Sequence, residues 1–210
     1  RKSFKNAAIT IMGDLNQRID EHSNVKNRNA ITEIFNDIKI EVLSKSYRST
    51  ANITNFTREL LDTHEPIEAV ERSGDNPKVI ITKNRIVEVA KTIETMQEKG
   101  YKSIAVICKT KAITNDVYNK LKEVLDEINL IDTETSEFKV GVNAISSYLS
   151  KGLEFDGVIV ADGEEYLNES NKNLFYTVCT RALHELKIFT NKDLAEMLPK
   201  DKTLYEVEEW

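Results

Sequence analysis

Short apolar runs alternate with longer amphipathic stretches along most of the chain. The runs AAITIM (7–12), KIEVL (39–43), KVIIT (78–82), SIAVIC (103–108), KVGVNAI (139–145), GVIVA (157–161) and LKIFT (186–190) are rich in Val and Ile. Most are too short for helices and predict strands. Between them the apolar positions fall at helical spacing. In STANITNFTRELLDT (49–63), Ser49 or Thr50 stands as an N-cap, and Ile53, Phe56, Leu60 and Leu61 share one face. RIVEVAKTIETMQEKG (85–100) puts Ile86, Val89, Ala90, Ile93 and Met96 on one stripe and stops at Gly100. TNDVYNKLKEVLDEI (114–128) repeats the pattern. Apolar strands alternating with helices predict a parallel sheet covered on both faces. This is a doubly wound α/β domain, whose ligands are expected at the carboxyl ends of the strands.

Polar connectors punctuate this alternation. HEPIEAVERSGDNP (64–77) carries a Ser-Gly-Asp turn signal, and DGEEYLNESNKN (162–173) reads as a solvated loop directly after a strand. In NLFYTVCTRALHELKIFT (173–190), Leu174, Phe175, Val178, Ala182 and Leu183 predict the apolar side of a helix, with Thr180 and Arg181 on another face. Taken singly, Arg181 reads first as an exposed, solvated residue.

The candidate chemistry gathers at strand ends. Gly13-Asp14-Leu15-Asn16-Gln17-Arg18 follows the first run, and Ser46-Tyr47-Arg48-Ser49-Thr50 precedes a helix start, where backbone amides favour anions. Before the run 157–161, Gly152 permits unusual dihedrals or close approach of a ligand. Lys151 beside it supplies a positive charge and Glu154 an acceptor suited to sugar hydroxyls, while Leu153 and Phe155 read as core.

Composition narrows this picture. The chain of 210 residues carries a net charge of −6, which argues against a broad phosphate-gripping surface and for few, local nucleic-acid contacts. No apolar run of about 18 residues suggests a membrane span. Cys108 and Cys179 lie in apolar surroundings and read as buried thiols of a cytoplasmic protein. The histidines show no metal-ligand spacing. The chain opens without methionine, already inside a strand-like run, as if cut from something longer.

Taken together, these stretches resemble, in order and spacing, the last motifs of superfamily 1 helicases of the Rep/UvrD type. GDLNQRI (13–19) resembles the Gly-Asp-x-x-Gln motif that ends the first motor domain. SKSYRSTANITNF (44–56) resembles the Asn-Tyr-Arg-Ser motif, with Ser46 in place of the usual Asn. SSYLSKGLEFDGVIV (146–160) resembles the Lys-Gly-Leu-Glu-Phe motif, and LFYTVCTRALHEL (174–186) the final Tyr-Val-Ala-x-Thr-Arg-Ala motif. The wording of the last two is similar to the DNA helicase IV and HelD branch, which includes ATPases that recycle RNA polymerase.

The resemblance implies a RecA-like second motor domain over residues 39–210, preceded at 1–38 by the end of the first motor domain. It implies ATP with Mg²⁺ as cofactor. Gln17 would sense the γ-phosphate, with Asp14 nearby in interdomain coupling. Tyr47 would stack on adenine, and Arg48 and Arg181 would reach the γ-phosphate as arginine fingers. Gly152 and Glu154 would lie against phosphates and ribose. Tyr148 and Lys151 would face single-stranded DNA, with Tyr148 standing where the Rep/UvrD type has His. No Gly-x-x-x-x-Gly-Lys-Ser/Thr occurs. The P-loop and metal ligands are therefore expected in an N-terminal domain outside this chain, and the chain alone is not expected to hydrolyse ATP. A second implied reading is a HelD-like ATPase that remodels RNA polymerase without unwinding.

Overall fold

A computed structural model describes residues 10–17, 32–33, 38–61, 68–133 and 139–210. Its centre is a seven-stranded sheet formed by β3 (Lys78–Ile81), β4 (Ser103–Cys108), β5 (Asn129–Ile131), β6 (Gly141–Ser146), β7 (Phe155–Val160), β8 (Ala182–Thr190) and β9 (Glu206–Glu209). The strand order is β5-β6-β4-β7-β8-β3-β9, and every pairing is parallel. A separate two-stranded parallel pair joins β1 (Lys45–Ser46) to β2 (Glu68–Ala69).

Successive side chains of a strand point to opposite faces, so an all-apolar strand feeds two cores. In β4, Ala105 and Ile107 pack on one side, together with Ile53 and Phe56 of α1 (Ala51–Glu59), Leu60 just after it, and Phe175 and Val178 of α4 (Lys172–Cys179). Ile104, Val106 and Cys108 pack on the other, against Val89, Ile93 and Met96 of α2 (Arg85–Glu98) and Val117 and Leu121 of α3 (Lys111–Leu121). The doubly wound, RecA-like expectation holds. Cys108 and Cys179 are free thiols, both buried. Among the described residues no helix is long and apolar enough to cross a membrane.

The helix signals act locally as read. Thr50 caps α1 by accepting from Ile53 N, while Thr110, a cap the sequence reading did not name, caps α3 through Ile113 N. Gly100 ends α2 at φ +85°, donating to Gln97 O while Tyr101 N reaches back to Met96 O. That pair of bonds is a Schellman ending, which needs the left-handed residue glycine supplies.

Four sequence expectations need correction. Residues 39–43 form no strand. Pairing begins only at Lys45, and Leu43 is 90% exposed. Thr10–Met12 is likewise irregular, while 7–9 lie outside the described residues. β-propensity supplies no partner strand, and a run without one has nothing to bond. The helix expected from Leu174 through Leu183 ends at Cys179, and the strand expected at 186–190 begins already at Ala182. Docking between β7 and β3 overrides the local helical spacing there. The segment after β7 is no solvated loop: it folds into short 3-10 turns at Gly163–Tyr166 and Glu169–Asn171, with Asp162 and Tyr166 buried. Strands β5 and β9 are additions that the apolar pattern did not announce.

Candidate functional site

Glu154 and Arg181 each stand immediately before a strand, β7 and β8 respectively, at the amino-terminal edge of the sheet. Phe155 N donates to Arg181 O at 3.0 Å, so the two strand starts are tied together. The Arg181 side chain folds inward and is 1% exposed. Its Nε donates to Thr177 O at 2.8 Å, at the carboxyl end of α4, where the helix favours a cation. Its remaining donors go to Leu153 O (3.2 Å), Thr180 Oγ1 (3.1 Å) and Gln17 Oε1 (2.9 Å). All these acceptors are neutral oxygens.

Gln17 reaches this position from a 3-10 turn at Leu15–Gln17 that packs against α4. Its own Nε2 donates to Asp14 Oδ2 at 2.8 Å, and Asp14 Oδ1 accepts from Asn16 N. Arg48, on the link between β1 and α1, forms an ion pair with Glu154, both side chains about 40% exposed. Burial, and then the positive charge of Arg48, lower the Arg181 pKa to about 10, opposed by Glu154, Tyr176 and Asp14. Arg181 therefore stays charged at neutral pH. Tyr176, pushed up to about 12 by burial and the charge of Asp14, stays a neutral phenol.

The sequence-derived candidates thus divide. Gln17, Arg48, Glu154 and Arg181 are gathered at one place, and Tyr47 projects beside them, 72% exposed. They sit at the amino-terminal edge of the large sheet, not the carboxyl edge that the general rule for doubly wound folds led us to expect. The rule concerns crevices between helices above one sheet. Here the polar groups come instead from a strand-to-strand link, a helix end and the N-terminal turn. Lys151 and Gly152 are exposed in the turn between β6 and β7. Gly152 has φ +87° with open space around the missing Cβ, so its backbone shape, rather than close approach, requires glycine.

Tyr148 lies apart, beyond the carboxyl end of β6 and 59% exposed. It lines a cavity of about 510 Å³ with Lys109, Thr110, Lys111, Thr133, Ser146 and Leu149. The first turn of α3 opens here, and the buried Ser146 Oγ has no hydrogen-bond partner. Lys109 Nζ is tied to Glu165 O at 2.7 Å, while Lys111 is exposed. Sequence reasoning missed Lys109, Thr110, Lys111 and Ser146. The signal was available, because CKTK (108–111) places two lysines and an N-cap threonine at a strand-to-helix junction.

The sequence signature of the UvrD-like helicase C-terminal domain matches residues 141–188, the stretch holding Tyr148, Glu154 and Arg181. A solved structure described as the C-terminal domain of a possible DNA helicase from Lactobacillus plantarum WCFS1 is 36% identical, with a TM-score of 0.66, covering 78% of this chain and 99% of that one. The PRRSV nsp10 helicase aligns at 7% identity and a TM-score of 0.37, covering 64% of this chain and 30% of that one. No curated protein matches the chain.

Proposed function

The chain belongs to the UvrD-like helicase C-terminal domain family, and from that we propose that it is the second RecA-like motor domain of an ATP-dependent superfamily 1 DNA helicase. On this reading residues 39–210 form that domain and 1–38 end the first one. The P-loop and Mg²⁺ ligands come from an N-terminal motor domain of the same protein, and this chain alone does not hydrolyse ATP.

The observation that carries the reading is the hydrogen bond from Arg181 to Gln17, made beside the Arg48–Glu154 pair by residues far apart in the chain. A buried guanidinium whose hydrogen bonds all go to neutral oxygens, with Glu154 and Asp14 near but not bonded to it, fits a site for an anion. ATP with Mg²⁺ supplies the phosphoryl group to be transferred. Arg48 and Arg181 bind its terminal phosphate and neutralise charge developing on the equatorial oxygens, a role worth roughly 10³–10⁵ in rate. Arginine suits this because it stays charged and its fork matches phosphate oxygens. Gln17 shares the contact from the first domain's side. Glu154 and the Gly152 backbone would lie against the ribose and phosphates, and Tyr47 would stack on the base.

At the opposite edge of the sheet, the α3 amino terminus and Lys111 receive a backbone phosphate of single-stranded DNA, with a base against Tyr148. Lys151 adds charge on the same link. Residues 147–153 run directly from this edge to Glu154. In the full-length protein, Arg48→Ala or Arg181→Ala should lower ATP turnover by about 10³ or more. Turnover within threefold of wild type overturns the finger assignment.

The acidic net charge of −6, together with Tyr148 in place of His, favours a second reading: a HelD-like ATPase that acts on RNA polymerase. ATP turnover measured with and without single-stranded DNA separates the two, since the motor reading requires stimulation.

A further inference from the structure

Four consecutive residues at the foot of β8 organise both arginines. Arg181 itself enters the site, while Ala182 O accepts from Ser49 Oγ (2.6 Å) and Leu183 O from Thr50 N (3.1 Å). The fourth, His184, acts through a residue that the sequence motifs do not include. Arg72 Nη2 lies 2.7 Å from His184 Nδ1 and 2.9 Å from Nε2. A nitrogen so nearly equidistant from both cannot lie in the ring plane without striking the carbon between them, so Nη2 sits over the face of the imidazole. The imidazole is also stacked near-parallel to Tyr101, with ring centroids 5.8 Å apart. From this seat Arg72 Nη1 donates to the backbone carbonyl of Arg48 at 3.3 Å, and Arg72 O accepts from Ala51 N at 2.8 Å.

We propose that Arg72, seated on the ring of His184, is a positioning residue that fixes the link carrying Arg48 relative to Arg181. The inference rests on the reading of Arg48 as a phosphate contact. Its physical content is spacing. Arg48 leaves a two-residue strand and is half-exposed, so its own element does little to hold it. The bonds from Arg72 enclose residues 48–51 on one side, and Ala182 and Leu183 hold them on the other. Both arginines are thereby referred to one rigid strand, so that they meet the same phosphate together. Burial and the Arg72 charge hold the His184 pKa below its ordinary value, against the opposing pull of Asp156, so the ring stays neutral under Arg72 at neutral pH. The interaction needs a flat ring, not a titrating one.

The test has two parts. In the full-length protein, Arg72→Ala and His184→Ala should each lower kcat for ATP hydrolysis about ten- to a hundredfold, with KM for ATP within threefold. His184→Phe, which keeps a flat ring, should stay within threefold of wild type. In the 210-residue chain, Arg72→Ala should speed hydrogen exchange at the Thr50 and Ala51 amides at least tenfold and leave the β4 amides unchanged. If Arg72→Ala loosens β4 as well, the contrast between His184→Phe and His184→Ala decides. Equal losses in those two variants overturn the proposal. Arg72→Ala turnover within threefold of wild type, where Arg48→Ala abolishes turnover, overturns the positioning role and leaves Arg48 as a phosphate contact. A harmless Arg48→Ala overturns the reading beneath both.

Discussion

Asp162 shows at the scale of one residue how much a buried carboxyl depends on its surroundings. It is 1% exposed where the chain leaves β7, accepts Lys109 N on Oδ2 at 2.8 Å, and has no partner on Oδ1. Burial, reinforced by the charges of Glu164 and Glu165, pushes its pKa up to about 7, against the Lys109 amide and Arg85. The unfolded chain releases this proton near pH 4, so between about pH 4 and 7 folding takes up a proton. The stability linked to Asp162 is therefore complete at low pH and lost as pH rises through 7. The advantage of Asp162→Asn over wild type in urea unfolding should grow from pH 5 to pH 7 and level off above it. A difference independent of pH would show that the carboxyl does not titrate there. None of this was legible in the sequence, where Asp162 opened a loop expected to be solvated. Arg181 was misjudged for a related reason: its acceptors come from a helix end, a strand-to-strand link and the N-terminal turn, and no local pattern reports that convergence. The resemblance to helicase motifs singled out Gln17, Arg48, Glu154 and Arg181, and the structure brings these four together.

At the scale of elements, signals confined to a few residues were reliable and those needing a partner were not. Gly100 ended α2 as expected because a left-handed helix ending is decided within one turn. Space around its missing Cβ is open, so substitution costs conformation alone. Gly100→Ala should destabilise by about 1 kcal/mol and Gly100→Asn by less, measured by urea unfolding. A neutral Gly100→Ala would mean that the helix end relaxes without cost. KIEVL had the composition of a strand and, among the described residues, no strand to pair with. The stretch after Cys179 had helical spacing and was drawn into the sheet by neighbours that lie elsewhere in sequence. β9 was invisible because its Glu-Val-Glu-Glu is an edge strand held through charge: Lys78 sits between Glu206 (3.0 Å) and Glu208 (2.5 Å).

For the molecule as a whole, the two edges of one parallel sheet carry two different polar sites, and its acidity limits what each can do. On the proposed motor reading, a net charge of −6 leaves this chain few, local phosphate contacts, and the cavity beneath Tyr148 is where they are expected. Of its two lysines, Lys109 is already engaged with Glu165 O, so on that reading Lys111 is the phosphate contact to test. Each phosphate neutralised on a single strand contributes about −0.7 to the slope of log affinity against log salt. Lys111→Ala in the full-length protein should therefore make that slope shallower by about 0.7 for an oligo(dT), read by fluorescence anisotropy. Tyr148→Ala should weaken binding with the slope kept, because stacking releases no counterion. A Lys111→Ala slope equal to wild type would remove the cavity from the nucleic-acid path. If wild-type turnover were also indifferent to DNA, the acidic surface would be better matched to a protein target, and RNA polymerase would be the first to test.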